Sequence, residues 1–486
     1  MSRSRARPRG FDRNLVVIGA GTAGLVSALV AAKAGAKVTL AEAHEMGGDC
    51  LNTGCVPSKA LIHASRLVAR AREAERIGLL VAAGPVDTAA ALRHVRASIE
   101  AVAPHDSAAR YRGLGVDVRC GHARIASPWT VEVDGSPLTT RAIIIATGAA
   151  PVVPSIPGLA QAEFLTSETL WRIEQAPRRL LILGGGPIGC ELSQAFARLG
   201  TEVTVVQKGT RLLEREDDDV SDLVRRRLME DGVRVLTAHN AVAVEGRDGA
   251  RTVLLEHDAA QLRVPFDTLL VAVGRKPRTS GYGLEELGIK LTAGNTVETN
   301  VYLQTLHPTI YACGDVAGPW QFTHAAAYQG WQAAINALFG SLHRIRPDPS
   351  FMPAVTFTEP EIGRVGLNER GARARNVPCE VTRYDLRELD RAIVDDARDG
   401  FVKILTASGR DRILGATVVA PRAGEMLAEL ALAMQRGIGL KKLFSLIHAY
   451  PTYAEANRGV AGVWREAHMP ARLLPWLERY HAWRRG

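Results

Sequence analysis

The sequence predicts an α/β chain built from two Rossmann-like dinucleotide-binding domains followed by a smaller α+β module. Three observations carry that expectation. Two glycine-rich loops, Gly19-Ala20-Gly21-Thr22-Ala23-Gly24 and Gly184-Gly185-Gly186-Pro187-Ile188-Gly189, each stand between an apolar run and a helical stretch. Beyond Phe351 the apolar runs give way to short alternating segments, the pattern of antiparallel strands mixed with helices. The length, 486 residues, is too great for one core and suggests about three domains.

The first module opens with Leu15-Val16-Val17-Ile18, an apolar run of the buried parallel-strand type. After the glycine loop comes a helical stretch to Ala34, a stop at Gly35, and a second strand from Lys37 to Ala41 that ends at Glu42. In such a βαβ unit Gly19, Gly21 and Gly24 permit a tight turn and let backbone N–H groups approach a pyrophosphate at the positive end of the helix. Glu42, at the strand tip, is placed to accept hydrogen bonds from a ribose diol. A second copy starts at Leu180-Leu181-Ile182-Leu183, continues through Gly184, Gly186 and Gly189, and reaches the strand Val203 to Val206. Two such units imply two dinucleotides. The second strand ends in Gln207-Lys208-Gly209-Thr210-Arg211. An acid at that tip binds a 2′-hydroxyl and repels a 2′-phosphate. Gln207 removes the repulsion and Lys208 and Arg211 offer cations, so NADPH is expected over NADH.

Cys50 and Cys55 lie in Gly47-Gly48-Asp49-Cys50-Leu51-Asn52-Thr53-Gly54-Cys55-Val56-Pro57-Ser58-Lys59, shortly after the first loop. They can close a disulfide if the segment between them is a tight helical turn. A cytosolic protein is not expected to keep a structural disulfide, so the pair is either redox-active or metal-binding. No second Cys/His pair stands at ligand spacing, which makes metal the weaker choice.

Composition narrows the rest. Hydrophobic residues at 47% and charged residues at 23% are ordinary for a globular protein. The net charge of +9 attracts anions, but no helix-turn-helix, zinc finger or aromatic-basic RNA motif accompanies it. Nucleic acid is set aside, and the surplus reads as a solvated arginine-rich surface plus phosphate sites. The basic N-terminus lacks a signal-peptide core and no apolar run reaches about 18 residues, so a cytoplasmic protein is expected.

The stretch GGDCLNTGCVPSKALI resembles the active-site motif of the flavin-dependent pyridine nucleotide–disulfide oxidoreductases, and further motifs extend the resemblance from Asn14 to Gly462. The resemblance implies FAD on the first loop and NAD(P)H on the second. Thr147 and Gly148 resemble the exit from the FAD domain, Gly274 the exit from the nicotinamide domain. Gly314-Asp315 resembles a second FAD fingerprint, whose carboxylate reaches the ribityl chain. The implied domains are FAD-binding at 1–152 and 281–350, NAD(P)-binding at 153–280, dimerisation at 351–465, and a basic aromatic tail at 466–486. A homodimer follows from the dimerisation domain.

The resemblance also assigns roles. Cys55 is the thiol nearest the flavin and Cys50 the outer thiol that meets a small-molecule acceptor. Cys55 opens a helix, which favours its thiolate. Lys59 matches a lysine near the flavin N5 and Glu191 its acidic partner. In the run His448-Ala449-Tyr450-Pro451-Thr452-Tyr453-Ala454-Glu455 most relatives have a catalytic His at the place of Tyr450, paired with the acid at Glu455. His448 matches a different, non-catalytic His. A phenol with a pKa of about 10 is a poor proton shuttle at neutral pH.

Mercuric reductases also carry Tyr there, and Ser193 to Gly200 and Arg391 to Lys403 resemble them as well. Their adjacent C-terminal cysteines and N-terminal metal-trafficking domain have no counterpart, since the last cysteine is Cys379. The expectation is a mercuric-reductase-like flavoprotein whose acceptor is a soft metal ion, a quinone or an unusual disulfide. Dihydrolipoamide dehydrogenase stands second. A non-catalytic flavoprotein binding module stands third, opposed by the intact electron-transfer motifs. Cys190 and Cys313 are assigned to packing, and Cys120 and Cys379 give no signal. In the tail, Trp476, Leu477 and Trp483 among arginines are expected to pack on the protein, as in covering the dimer, rather than on an anionic membrane surface, because Pro470 and Pro475 break a long amphipathic helix.

Overall fold

Strand Arg13–Ile18 lies inside a parallel sheet, paired with Val38–Glu42 on one side and Ser136–Ile145 on the other. Asp117–Cys120 extends the sheet beyond Val38–Glu42, and Ile310–Ala312 runs parallel to the end of Ser136–Ile145. Both faces are covered, which is why the strand reads as an unbroken apolar run: Leu15, Val16 and Val17 are completely buried. The computed structural model describes residues 7–79, 84–247, 250–346, 348–470 and 473–486.

The second sheet repeats the plan. Its strands run Arg234–Thr237, Glu202–Gln207, Arg179–Leu183, Thr268–Val271 and Phe164–Thr166, all parallel. The turn after the first strand is anchored alike in both copies: the N–H of Gly19 donates to Ala41 O at 2.8 Å, and that of Gly184 to Val206 O at 2.8 Å. An antiparallel sheet of Asn240–Arg247, Ala250–His257 and Ala260–Phe266 follows.

The chain divides into two compact units, one of residues up to Leu212 with Leu228–Asp348, the other of Leu213–Arg227 with Pro349–Gly486. The second unit is an antiparallel sheet in the order Pro353–Thr356, Glu361–Gly366, Ile413–Ala420, Phe401–Ala407 and Cys379–Asp385. Helices Ala423–Gln435 and Glu455–Ala467 contribute Leu430 and Val460 to its core. The excursion Leu213–Arg227, which the sequence places inside the second nucleotide module, is bound here by charge. Buried Lys403 bridges Asp217 at 2.8 Å, Asp219 at 2.9 Å and Glu369 at 2.8 Å, and Arg364 holds Glu216 at 2.9 Å. A buried ammonium is tolerated only with partners of this kind.

Leu473–Arg485 is helical, with Pro475 in its first turn, where its missing N–H costs no intrahelical bond. Within the single chain Trp476 is 60% and Trp483 76% exposed.

Candidate active site

The cysteine-bearing segment is built onto the first glycine loop. The N–H of Gly47 donates to Ala20 O at 3.0 Å. Gly48 lies so close to Gly21 that a Cβ on Gly48 would overlap the Gly21 backbone. Short helix Gly48–Asn52 follows, then Gly54 N-caps the helix Cys55–Arg76. The Asn52 amide donates to Met46 O and Gly48 O, and the Trp171 indole N–H donates to Thr53 O at 2.8 Å, so the turn between the cysteines is tied from both sides.

Both cysteines are free thiols. The Cys50 thiol hydrogen-bonds to the Cys55 sulfur, and this is the main reason the Cys55 pKa falls to about 6. Burial opposes the shift, while Thr323, 3.2 Å from Cys55 Sγ, and the Lys59 charge assist it. Cys50 is pushed up by the same hydrogen bond, by burial and by repulsion from Cys55. The helix start foreseen for Cys55 is present, but the neighbouring hydroxyl and thiol, which sequence spacing does not reveal, act more directly. The pair is poised as one thiolate and one thiol.

Lys59 Nζ meets Glu191 Oε2 at 2.8 Å, joining the helix after Cys55 to Pro187–Arg198, the helix that starts at the second glycine loop. Asp315 is half-buried, and this desolvation raises its pKa to about 6; Arg275 opposes that shift, and Asp49 and Cys55 add to it. Arg275 pairs with Asp49 and stands 3.7 Å from Asp315. Asp49, Arg275 and Thr323 were not singled out in the sequence. Asp49 beside Cys50 and Arg275 beside Gly274 were the available signals; Thr323 had none.

The two nucleotide loops fit dinucleotides. Gly19 and Gly184 adopt φ of +100° and +110°, and a Cβ on either would overlap the carbonyl of Ala146 or Ala272. Gly21 and Gly186 N-cap helices Thr22–Lys33 and Pro187–Arg198, which have neither a side-chain cap nor an acid in the first turn. Their positive ends are left for a phosphate. Glu42 Oε2 accepts from Ala20 N at 2.5 Å, and Gln207 Oε1 accepts from Gly185 N at 2.7 Å. Lys208 is exposed and Arg211 half-buried. Thr147 donates to Arg278 O at 2.8 Å, Gly148 O accepts from Arg278 N, and Gly274 O accepts from Val152 N. The segments beyond these exits, Ala149–Pro151 and Arg275–Pro277, pair as antiparallel strands. Gly314 N donates to Gln329 Oε1 at 2.8 Å.

The sequence profile of the pyridine nucleotide-disulphide oxidoreductases matches residues 13–330, and that of the dimerisation domain of the same family matches residues 352–461. The chain belongs to the pyridine nucleotide-disulphide oxidoreductase family. It is a flavoprotein oxidoreductase of a family that uses FAD with NAD(P)H. It is 34% identical over 447 residues to a mercuric reductase of Staphylococcus aureus, covering 92% of this chain and 81% of that protein. It is 36% identical over 447 residues to a dihydrolipoyl dehydrogenase of Thermus scotoductus, covering 91% of this chain and 95% of that protein. Among solved structures it resembles the HOCl-induced flavoprotein disulfide reductase RclA of Escherichia coli, with a TM-score of 0.82, 28% identity, and coverage of 93% of this chain and 99% of that one. A Cu(II) complex of RclA matches with a TM-score of 0.82, 27% identity and the same coverage.

The remaining candidates of this disulphide oxidoreductase lie in the second unit. The Tyr450 hydroxyl donates to Asp390 Oδ2 at 3.0 Å, and that carboxylate holds the phenol pKa above its ordinary value. Glu455 Oε2 instead accepts from Thr452 N at 3.1 Å, capping its own turn. His448 is buried and engaged with Glu429 at 3.0 Å, and Asn457 donates to the same carboxylate at 2.8 Å. Among the described residues no group of three or more His, Cys, Asp or Glu is placed to hold a metal ion, and no helix is long and apolar enough to cross a membrane.

Proposed function

We propose that the protein takes electrons from NADPH and delivers them through Cys55 and Cys50 to a small acceptor that needs little proton traffic, a soft metal ion or a quinone ahead of an unusual disulfide. The observation that carries this reading is the thiol pair itself, with Cys55 depressed to about 6 and hydrogen-bonded to Cys50. Bound FAD supplies the two-electron relay between nicotinamide and thiols. Reduction of the Cys50–Cys55 disulfide consumes two electrons and one proton, leaving the Cys50 thiol and the Cys55 thiolate at neutral pH. Cys50, the outer sulfur, then meets the acceptor. Lys59 stabilises negative charge beside Cys55, and Glu191 fixes the lysine at 2.8 Å. Glu42 and Asp315 hold the FAD ribose and ribityl hydroxyls.

NADPH is favoured because Gln207 contributes no negative charge at the strand tip, while Lys208 and Arg211 flank it. In the homodimer, Tyr450 and Glu455 serve the acceptor side. A phenol held above its ordinary pKa does not shuttle protons at pH 7, which disfavours disulfide exchange. The Cu(II) complex of RclA supports a metal among the acceptors. The protein is taken to act in the cytoplasm. Dihydrolipoyl dehydrogenase is the second reading, supported by relatives such as the Chlamydia muridarum protein, 98% of which is covered.

Steady-state NADPH oxidation with Cu(II), Hg(II), benzoquinone, lipoamide and glutathione disulfide tests the proposal. Metal ions or quinone are expected to turn over faster than either disulfide. Rapid lipoamide turnover with no metal or quinone activity selects the second reading.

A further inference from the structure

Tyr450 donates its only proton to a carboxylate, and that fixes what the phenolic oxygen can offer. A tyrosine hydroxyl has one donor and two lone pairs, and an ionised carboxylate can only accept. The 3.0 Å bond to Asp390 Oδ2 therefore has one polarity, with the oxygen left as an acceptor. We infer that Asp390 is a positioning residue for Tyr450, turning the phenol into an acceptor-only group that prefers a cationic electron acceptor to an anionic or neutral one. The inference rests on the proposed placement of Tyr450 at the acceptor.

The surroundings strengthen the preference. Asp390 and Glu455, both negative, act on the Tyr450 phenol. Tyr384, the next phenol in the cluster, feels Glu388, Asp390 and Glu455. Arg391, next to Asp390 in sequence, pairs instead with Asp395 at 2.9 Å, where Tyr453 also donates. A metal cation gains from this field and from a lone pair aimed at it. A disulfide bearing several carboxylates is repelled, and a neutral quinone gains nothing from the charge.

The test uses the dimeric holoenzyme with Asp390→Asn, Asp390→Glu and Tyr450→Phe, each checked for flavin content. Three quantities are read: flavin reduction by NADPH alone, the ratio of kcat/KM for Cu(II) to that for benzoquinone, and the Tyr450 titration, taken as the ultraviolet difference between each protein and its Tyr450→Phe counterpart. Flavin reduction is expected to be unchanged in both Asp390 variants. Asp390→Asn keeps an acceptor for the phenol but removes the charge, and should lower the Cu(II)-to-quinone ratio by roughly fivefold or more, the order of one unit-charge attraction at a solvent-exposed site. It should also bring the Tyr450 titration down towards the ordinary value, and Asp390→Glu should restore part of both effects. If Tyr450→Phe lowers the ratio but Asp390→Asn matches wild type in ratio and titration, the positioning role is overturned. If Tyr450→Phe changes no acceptor at all, the placement of Tyr450 at the acceptor fails with it.

Discussion

The two nucleotide loops are near-copies in backbone and differ in the side chain at the strand tip and in what is built on them. In both, the first glycine takes a left-handed φ and its N–H reaches back to the second strand at 2.8 Å. In both, the strand-tip side chain accepts from the N–H of the residue after that glycine. The first tip is the carboxylate of Glu42 and the second the amide of Gln207. Backbone geometry is thus common to the two loops, and the strand tips differ in charge. Only the first loop carries chemistry, because Gly47 and Gly48 dock the cysteine helix against Ala20 and Gly21.

The largest effect is expected where the copies are most alike. A Cβ at Gly24 would overlap the Gly19 carbonyl, and one at Gly189 the Gly184 carbonyl, each inside a helix packed on its sheet. Gly24→Ala should abolish flavin retention on purification. Gly189→Ala should keep the flavin yet lose its reduction by NADPH. Equal loss of flavin in both variants, read from the ratio of visible to 280 nm absorbance, would show that the loops are not independent sites.

A smaller effect follows from exchanging the tips. Gln207→Glu restores a carboxylate that repels a 2′-phosphate, so the kcat/KM preference for NADPH should fall by about ten- to a hundredfold, the worth of a charge-assisted contact of roughly 1.5–3 kcal/mol. Glu42→Gln should weaken FAD binding without touching nucleotide preference. A wild-type enzyme that reduces its flavin equally well with NADH would break the comparison at its root.

Much of this was legible because it follows from local spacing. The glycine loops, the strands around them and the Cys50–Cys55 turn each lie within about forty residues of sequence. What escaped depends on contacts between distant segments. Thr323 reaches Cys55 from a helix 268 residues away, and Arg275 reaches Asp49 across 226. Nothing in the sequence around Thr323 marks it, and Arg275 is marked only by its neighbour Gly274. The excursion Leu213–Arg227 escaped for the same reason: its hold on Lys403 and Arg364 joins charges some 150 to 190 residues apart, where helical or strand periodicity is silent.

The smallest expected effect concerns the thiolate that only the first loop supports. The Cys55 pKa lies below its ordinary value, at about 6, so the thiolate is present above that pH and lost as pH falls through it. Its contribution to folding stability has the same sign: complete above the unfolded thiol's pKa, shrinking below it, and gone once pH drops under about 6. The reduced holoenzyme's long-wavelength absorption, thiolate against flavin, reports the titration directly. Cys55→Ala should remove the band, and Cys50→Ser should keep it, since a hydroxyl still donates to the thiolate. Cys50→Ala removes that donor, the largest cause of the depression, and should move the midpoint upward most. Lys59→Met removes only a charge that is one-third exposed and already paired with Glu191, so its upward shift should be the lesser one. Should Lys59→Met move the midpoint further than Cys50→Ala, the thiolate is held mainly by the lysine, and the hydrogen bond between the two sulfurs is secondary.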